Sequence, residues 1–105
     1  MATTPEGRVK TAIKKYLKSI PGCWYFMPIG GAFTVHGIPD IVGLVHGRFF
    51  AIECKAPGRE ATTTANQKNV MSAIEKVGGV VFVASSVEQV RSVFVQHGWD
   101  PNYVI

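Results

Sequence analysis

Three ionisable residues stand close together in a part of the chain that is otherwise apolar. Asp40 lies near the start of the run "PDIVGLV", and Glu53 and Lys55 lie at the end of the run "RFFAIECK". Asp is depleted in strands, and a carboxylate is costly to bury unless a cation or a hydrogen-bond donor meets it. The chain has only seven acidic residues, so two of them within short apolar runs require a compensating partner. The identity of that partner decides the chemistry of the region.

The two runs predict a β-hairpin that places the acidic residues side by side. If His46-Gly47 is a two-residue turn, the antiparallel register sets Asp40 directly opposite Glu53. Their Cβ atoms would then lie about 4.5–5.5 Å apart. Lys55 shares their face of the sheet, because side chains alternate along a strand. A three-residue bulged loop would instead move Asp40 off this shared face.

Two opposed carboxylates beside an ammonium group favour a divalent metal site. Like charges that face each other are destabilising unless a cation bridges them, and Mg²⁺ binds one or two carboxylates, waters and phosphate oxygens. Lys55 can then align or deprotonate a water, or stabilise charge on a phosphorus centre. The pattern therefore predicts metal-assisted phosphodiester hydrolysis. A structural alternative stays open, in which Glu53 and Lys55 form an ion pair and Asp40 caps the start of its strand.

The elements around the hairpin are predicted from capping residues and from hydrophobic periodicity. A first helix begins at Thr4-Pro5 and ends at Pro21-Gly22, and "CWYFM" follows as a strand with its aromatic residues in or near the core. Thr64 and Gln67 predict a capping box that opens a second helix. "VVFVA" is typical of a strand buried on both faces, and a third helix begins at Ser86. The predicted order is α-β-β-β-α-β-α, an α/β domain with a mixed β-sheet flanked by helices.

Composition indicates one globular domain over residues 1–105. Hydrophobic residues make up 47% of the chain and charged residues 17%, which excludes a disordered chain. The net charge of +4 suits a polyanionic partner, although ordinary solvated lysines explain it equally well. Two cysteines and the lack of an apolar signal core favour an intracellular location. No apolar run is long enough for a membrane span, and Gly30-Gly31 lacks the context of a nucleotide-binding loop.

The ordered combination of these residues resembles a known family of nucleases. Pro39-Asp40 followed by Glu53-Cys54-Lys55 resembles the PD-(D/E)xK signature. The stretch from His36 to Gln67 further resembles the virus-type replication-repair nuclease (VRR-NUC) domain, which has a Gly-x-Pro-Asp element, an E-x-K strand, a small loop and a helix bearing a Gln. The likeness covers roughly residues 4–94. It implies a restriction-endonuclease-like core in the predicted element order.

The resemblance also implies a role for each site residue. The carboxyl pair would bind Mg²⁺ or Mn²⁺, and the lysine would be catalytic. For Gln67 and Glu6 the residues themselves leave a second interpretation open: a capping residue, and a favourable negative charge on the first turn of a helix. The implied catalytic residues are Glu6, Asp40, Glu53, Lys55 and Gln67, with Asp40, Glu53 and the Cys54 backbone carbonyl as metal ligands.

The activity that the resemblance implies is that of a structure-specific DNA endonuclease. Stand-alone domains of this kind are expected to come from phages and to cut four-way (Holliday) junctions as homodimers in the cytoplasm of the host cell. A flap- or nick-directed nuclease and a non-cleaving nucleic-acid-binding module are the alternatives. The end "HGWDPNYVI" either folds back on its own core or forms a two-fold interface. The expected DNA-binding residues are Arg8, Lys10, Lys14, Lys15, His36, Arg59 and Lys68.

Overall fold

A computed structural model describes residues 4–29 and 36–103, which form a mixed four-stranded sheet with three helices. The strands lie in the order β1-β2-β3-β4, with β1, β2 and β3 antiparallel and β4 parallel to β3. The predicted α/β class with a mixed sheet is confirmed. The elements, in chain order, are α1 (Pro5–Lys18), β1 (Cys23–Phe26), β2 (Ile41–Val45), β3 (Arg48–Cys54), a 3₁₀ turn (Glu60–Thr62), α2 (Ala65–Lys76), β4 (Val80–Ala84) and α3 (Val87–Gln96).

The helices begin where the capping residues predict. The Thr4 hydroxyl accepts a hydrogen bond from the Gly7 backbone N–H at 2.9 Å, and Pro5 occupies the first turn of α1. At the start of α2, the Thr64 hydroxyl accepts from the Gln67 N–H at 3.1 Å, and the Gln67 side-chain oxygen accepts from the Thr64 N–H at 2.9 Å. This reciprocal pair is the predicted capping box, and it fixes the Gln67 side chain beside the first turn of the helix.

The β2–β3 hairpin has the two-residue turn that the sequence predicts. His46 and Gly47 both have positive φ angles, 50° and 78°, as a type I′ turn requires. The register therefore runs from Val45 opposite Arg48 to Ile41 opposite Ile52. One position further along, Asp40 follows opposite Glu53, so the two carboxylates share one face of the sheet.

The core lies on the other face of the sheet, beneath α1 and α3. Ile41, Phe50 and Ile52 are fully buried there against a stripe of apolar residues from the two helices. Phe94 of α3 packs edge-to-face on Phe50 and on Trp99, with ring centroids 5.4 and 5.1 Å apart. Trp99 is only 6% exposed and packs on the chain's own core, whereas Tyr103 near the end of the described chain is 50% exposed.

Two predictions about apolar strands are wrong. Strand β4 is not buried on both faces, because it lies at the edge of the sheet and α2 has no fully buried residue to cover it. Trp24 and Phe26 are not core residues: they are 63% and 47% exposed on the sheet face opposite α1 and α3, and Tyr25 is the one aromatic residue of this strand that packs against the core. Leu44 and Phe49 continue this exposed apolar surface through the ladder pairs Trp24–Leu44 and Leu44–Phe49.

Across the two described ranges, no helix is long and apolar enough to cross a membrane. Gly30-Gly31, which lacks the context of a nucleotide-binding loop, and the last two residues of the end "HGWDPNYVI", Val104 and Ile105, lie outside the described residues.

Candidate metal centre

The acidic pair lies where β2 begins and β3 ends. Asp40 Oδ2 accepts a hydrogen bond from the Cys54 backbone N–H at 2.8 Å, which ties the start of β2 to the end of β3. The Glu53 side chain is 3% exposed and that of Asp40 is 24% exposed, so the pair opens to solvent on the Asp40 side. The contact between Asp40 and Cys54 is the strand-start cap of the structural alternative.

Gln67 connects the two remaining polar groups of the site. Its side-chain nitrogen donates to Glu53 Oε2 at 2.6 Å, and its side-chain oxygen accepts from Lys55 Nζ at 3.1 Å. The same oxygen accepts from the Thr64 N–H, so Gln67 is both the capping residue and a site residue. The capping role is therefore confirmed, and the same side chain also contacts Glu53 and Lys55. Lys55 Nζ also lies 3.8 Å from Glu53 Oε2, which is the ion pair of the structural alternative.

Glu53 Oε1 is buried and has no hydrogen-bond partner. All the contacts of this carboxylate described above involve Oε2, so its other oxygen is unsatisfied in a position where each buried polar atom normally has a partner. Burial, and after it the negative charge of Asp40, raises the pKa of Glu53 to about 8. A side-chain hydrogen bond with Asp40 also raises the pKa of Glu53, so a proton shared with Asp40, or a metal ion in its place, would satisfy Oε1, whereas the ion pair with Lys55 does not reach it.

The residues present fit a hard divalent cation. Glu53 Oε1 and the Asp40 carboxylate provide oxygen donors, and Mg²⁺ characteristically takes one or two carboxylates and completes its shell with water and substrate oxygens. Among residues 4–29 and 36–103, no cluster of three or more His, Cys, Asp or Glu side chains forms a metal site. An ion held by Asp40 and Glu53 would therefore need the predicted Cys54 carbonyl, water or substrate for its other positions. The Cys54 thiol faces the core, and burial raises its pKa to about 12, so its sulfur is no ligand.

Helix α1 brings a second lysine to the site. Lys10 Nζ lies 3.2 Å from Glu6 Oε2 and 3.4 Å from Asp40 Oδ1, so Glu6 reaches the acidic pair only through Lys10. The sequence predicts a DNA-binding role for Lys10 and does not predict this contact. The i,i+4 spacing of Glu6 and Lys10 on a helix expected at the site was the signal that pointed to it.

The predicted DNA-binding residues of α1 lie on two sides of the helix. Lys14 follows Lys10 by one turn of α1, whereas Arg8 and Lys15 lie roughly 140–160° around the helix from Lys10 at about 100° per residue. Near the site are three exposed residues from other elements. They are His36, which precedes the loop glycine that packs on α2, Arg59 in the loop after Lys55, and Lys68, which follows Gln67 in α2.

Comparison of the chain with models of known protein families finds no match, and comparison with curated proteins finds none either. The geometry of the centre and the sequence resemblance are therefore the two grounds on which a function can be proposed.

Proposed function

We propose that this protein is an Mg²⁺- or Mn²⁺-dependent DNA endonuclease with a restriction-endonuclease-like fold of the VRR-NUC type. The observation that carries the proposal is the unsatisfied, buried Oε1 of Glu53 beside Asp40. The contacts with Gln67 and Lys55 both involve Oε2, and a divalent ion held between Glu53 and Asp40 would satisfy Oε1 in place of a proton that the two carboxyl groups share. The alternation of strand side chains also sets Lys55 on the same face, where a substrate phosphate bound to the ion would lie.

Each residue of the centre has a distinct part in the proposed reaction. Asp40 and Glu53 would hold the divalent ion, which supplies Lewis acidity to activate a water and to stabilise charge on the phosphate. The Lys55 ammonium, oriented by Gln67 Oε1, donates hydrogen bonds to the attacking water or to a phosphate oxygen. Gln67 also holds Glu53 Oε2, so that Oε1 is the oxygen presented to the ion.

Cleavage of labelled DNA with Mn²⁺, and then with EDTA, tests the proposal directly. Asp40→Asn, Glu53→Gln and Lys55→Ala are each expected to lower the cleavage rate at least about 100-fold, because loss of one charge-stabilising group at such a centre costs several kcal/mol. Gln67→Ala should cause a smaller loss, since it removes an orienting group rather than a ligand. DNA binding should survive in all four variants, because it depends on Lys and Arg contacts to phosphates and weakens steeply with salt.

Lys76→Ala is the matched control for Lys55→Ala. Both variants remove one ammonium group, but Lys76 is exposed at the far end of α2 and should leave cleavage unchanged. Wild-type cleavage that persists in EDTA would refute the metal mechanism. DNA binding without cleavage under any divalent ion would favour the non-cleaving module.

We further propose that the substrate is branched DNA, with a four-way junction preferred and a flap or nicked duplex as the alternative, and that the protein acts as a homodimer. A single chain provides one such centre and hence one incision, whereas two copies related by a two-fold axis would present two centres to a pseudo-symmetric junction. The exposed apolar surface of Trp24, Phe26, Leu44 and Phe49 supports a partner of this kind, since contiguous exposed apolar residues mark interaction sites.

A further inference from the structure

Lys10 occupies a position between two carboxylates from different elements. Its Nζ contacts Glu6 Oε2 at 3.2 Å within α1 and Asp40 Oδ1 at 3.4 Å at the start of β2. The other Asp40 oxygen, Oδ2, is already bonded to the Cys54 N–H. The ammonium group therefore contacts the Asp40 oxygen that the Cys54 N–H does not use.

The contacts of Lys10 with Glu6 and Asp40 differ from an ordinary surface ion pair along a helix. A solvent-exposed i,i+4 pair is weak, but here Asp40 adds a second carboxylate that the helix itself does not supply. The Lys10 and Asp40 side chains are only 27% and 24% exposed. The ammonium group is thus held by two carboxylates in a partly buried position.

Two-metal nuclease centres place their ions about 4 Å apart, with a carboxylate shared between them. Asp40 is the residue placed to be shared in this protein: one position lies between it and Glu53, which is opposite in the hairpin register, and a second lies between it and Glu6, to which Lys10 links it. The second of these positions holds the Lys10 ammonium. An ammonium group provides one positive charge and hydrogen-bond donors there, without the need to bind an ion from solution.

We propose that Lys10 is a built-in second cation of the centre. It fills the position between Glu6 and Asp40 that would otherwise bind a divalent ion, so that each chain takes up one divalent ion, at Asp40 and Glu53. This inference rests on the proposed function and adds to it a stoichiometry and a role for Glu6. Glu6 acts as a positioning residue, which holds the Lys10 ammonium against Asp40.

Titration of the DNA-free protein with Mn²⁺ measures the number of bound ions. The free ion is detected by its electron paramagnetic resonance signal, and calorimetry gives an independent count. The wild-type protein is expected to bind one ion per chain, and Lys10→Met two, because the vacated position then offers the carboxylates of Glu6 and Asp40. The double variant Glu6→Gln/Lys10→Met should return to one ion. Lys14→Met is the control: it removes the same charge from the same side of α1, and should bind one ion.

The outcomes separate this inference from the proposed function. One ion in both the wild-type protein and Lys10→Met, at the same affinity, would overturn the role of Lys10 and leave the proposed nuclease centre intact. No bound ion in either protein would overturn the metal centre itself. Lys10→Gln provides the same comparison if Lys10→Met fails to fold, which circular dichroism will show.

Discussion

Glu53 is the residue whose surroundings are least compatible with a purely structural role. One oxygen of its carboxylate is held by Gln67, and the other is buried without a partner. The place of Glu53 opposite Asp40 was predictable, because the two-residue turn fixes the register of the hairpin. The unsatisfied oxygen was not predictable, because it depends on which oxygen Gln67 holds, a detail of side-chain packing that no spacing in the sequence encodes.

The raised pKa of Glu53 predicts how Glu53→Gln will change stability with pH in EDTA. An ordinary Glu has a pKa near 4.5 and Glu53 has one of about 8, so the folded state keeps its proton while the unfolded state loses it between these values. Folding stability is therefore fully present below pH 4.5 and falls by up to about 1.4 kcal/mol per pH unit as the pH rises to 8. The Gln variant lacks this loss, so its advantage over the wild-type protein should grow from pH 5 to pH 8, by on the order of 1–4 kcal/mol.

Urea unfolding at pH 5 and pH 8 measures this difference. Glu75→Gln, which removes an exposed carboxylate from α2, should show no comparable trend. Added Mg²⁺ should stabilise the wild-type protein at pH 8 and leave Glu53→Gln unaffected, because the ligand is gone. An advantage of Glu53→Gln that is equal at both pH values would contradict the raised pKa.

At the scale of elements, the start of α2 is positioned by the loop that precedes β2. Gly37 has a φ of 87°, and a Cβ built there would lie 2.5 Å from the carbonyl carbon of Asn66 and 2.7 Å from the backbone nitrogen of Gln67. The glycine of the Gly-x-Pro-Asp element is thus required by a close backbone contact as well as by its conformation. The same contact sets the first turn of α2, and with it Gln67, against the acidic pair.

Gly37→Ala is expected to destabilise the protein by at least about 2 kcal/mol, because a left-handed conformation and a backbone clash both oppose the methyl group. It should also weaken Mn²⁺ binding, since Gln67 moves away from Glu53. Gly58→Ala is the matched control: Gly58 has a φ of 84°, but its added Cβ would meet no atom within 4 Å. The control shares the conformational strain and not the clash, so it should lose less stability and no Mn²⁺ affinity. Equal losses in the two variants would show that the contact with α2 is unimportant.

The sequence predicted the elements better than it predicted their faces. Caps and turns gave the starts of α1 and α2 and the hairpin, because these signals are local. The strand "CWYFM" carries apolar residues on both faces. It therefore has no alternation of polar and apolar residues that could show that Trp24 and Phe26 point outward. The partial exposure of β4 could not be predicted for a related reason. Whether a strand lies at the edge of the sheet depends on the number and order of the strands, not on its own residues.

At the scale of the whole molecule, the exposed apolar surface and the candidate centre lie on the same face of the sheet. Trp24, Leu44 and Phe49 form one row across it, and Asp40 and Glu53 form another nearer the end of β3. A second copy that covers the apolar row would bring its own centre close to the same interface. Such an arrangement suits paired incisions in a branched substrate.

We expect the wild-type protein to be a dimer at micromolar concentration and to cut a four-way junction in preference to a linear duplex of the same sequence. Leu44→Lys should produce a monomer, because it buries a charge in the proposed interface, and should lose paired incision while keeping its Mn²⁺ site. Ala12→Lys adds the same charge to the exposed side of α1 and should leave the dimer intact. Light scattering and a side-by-side substrate panel test both parts. A monomeric wild-type protein would remove the basis for paired incision, and equal cutting of linear duplex would remove the preference for branched DNA.

The Gln67 side-chain oxygen accepts hydrogen bonds from both the Thr64 backbone N–H and Lys55 Nζ. One amide proton, at the start of a helix, is therefore a spectroscopic reporter for the lysine of the site. When Lys55 turns toward a phosphate, the shared oxygen is left to Thr64 alone, and the Thr64 resonance in a nitrogen–proton correlation spectrum should move downfield as that bond strengthens. The position of the Thr64 peak would thus report in solution whether Lys55 is engaged with a phosphate, without any cleavage assay.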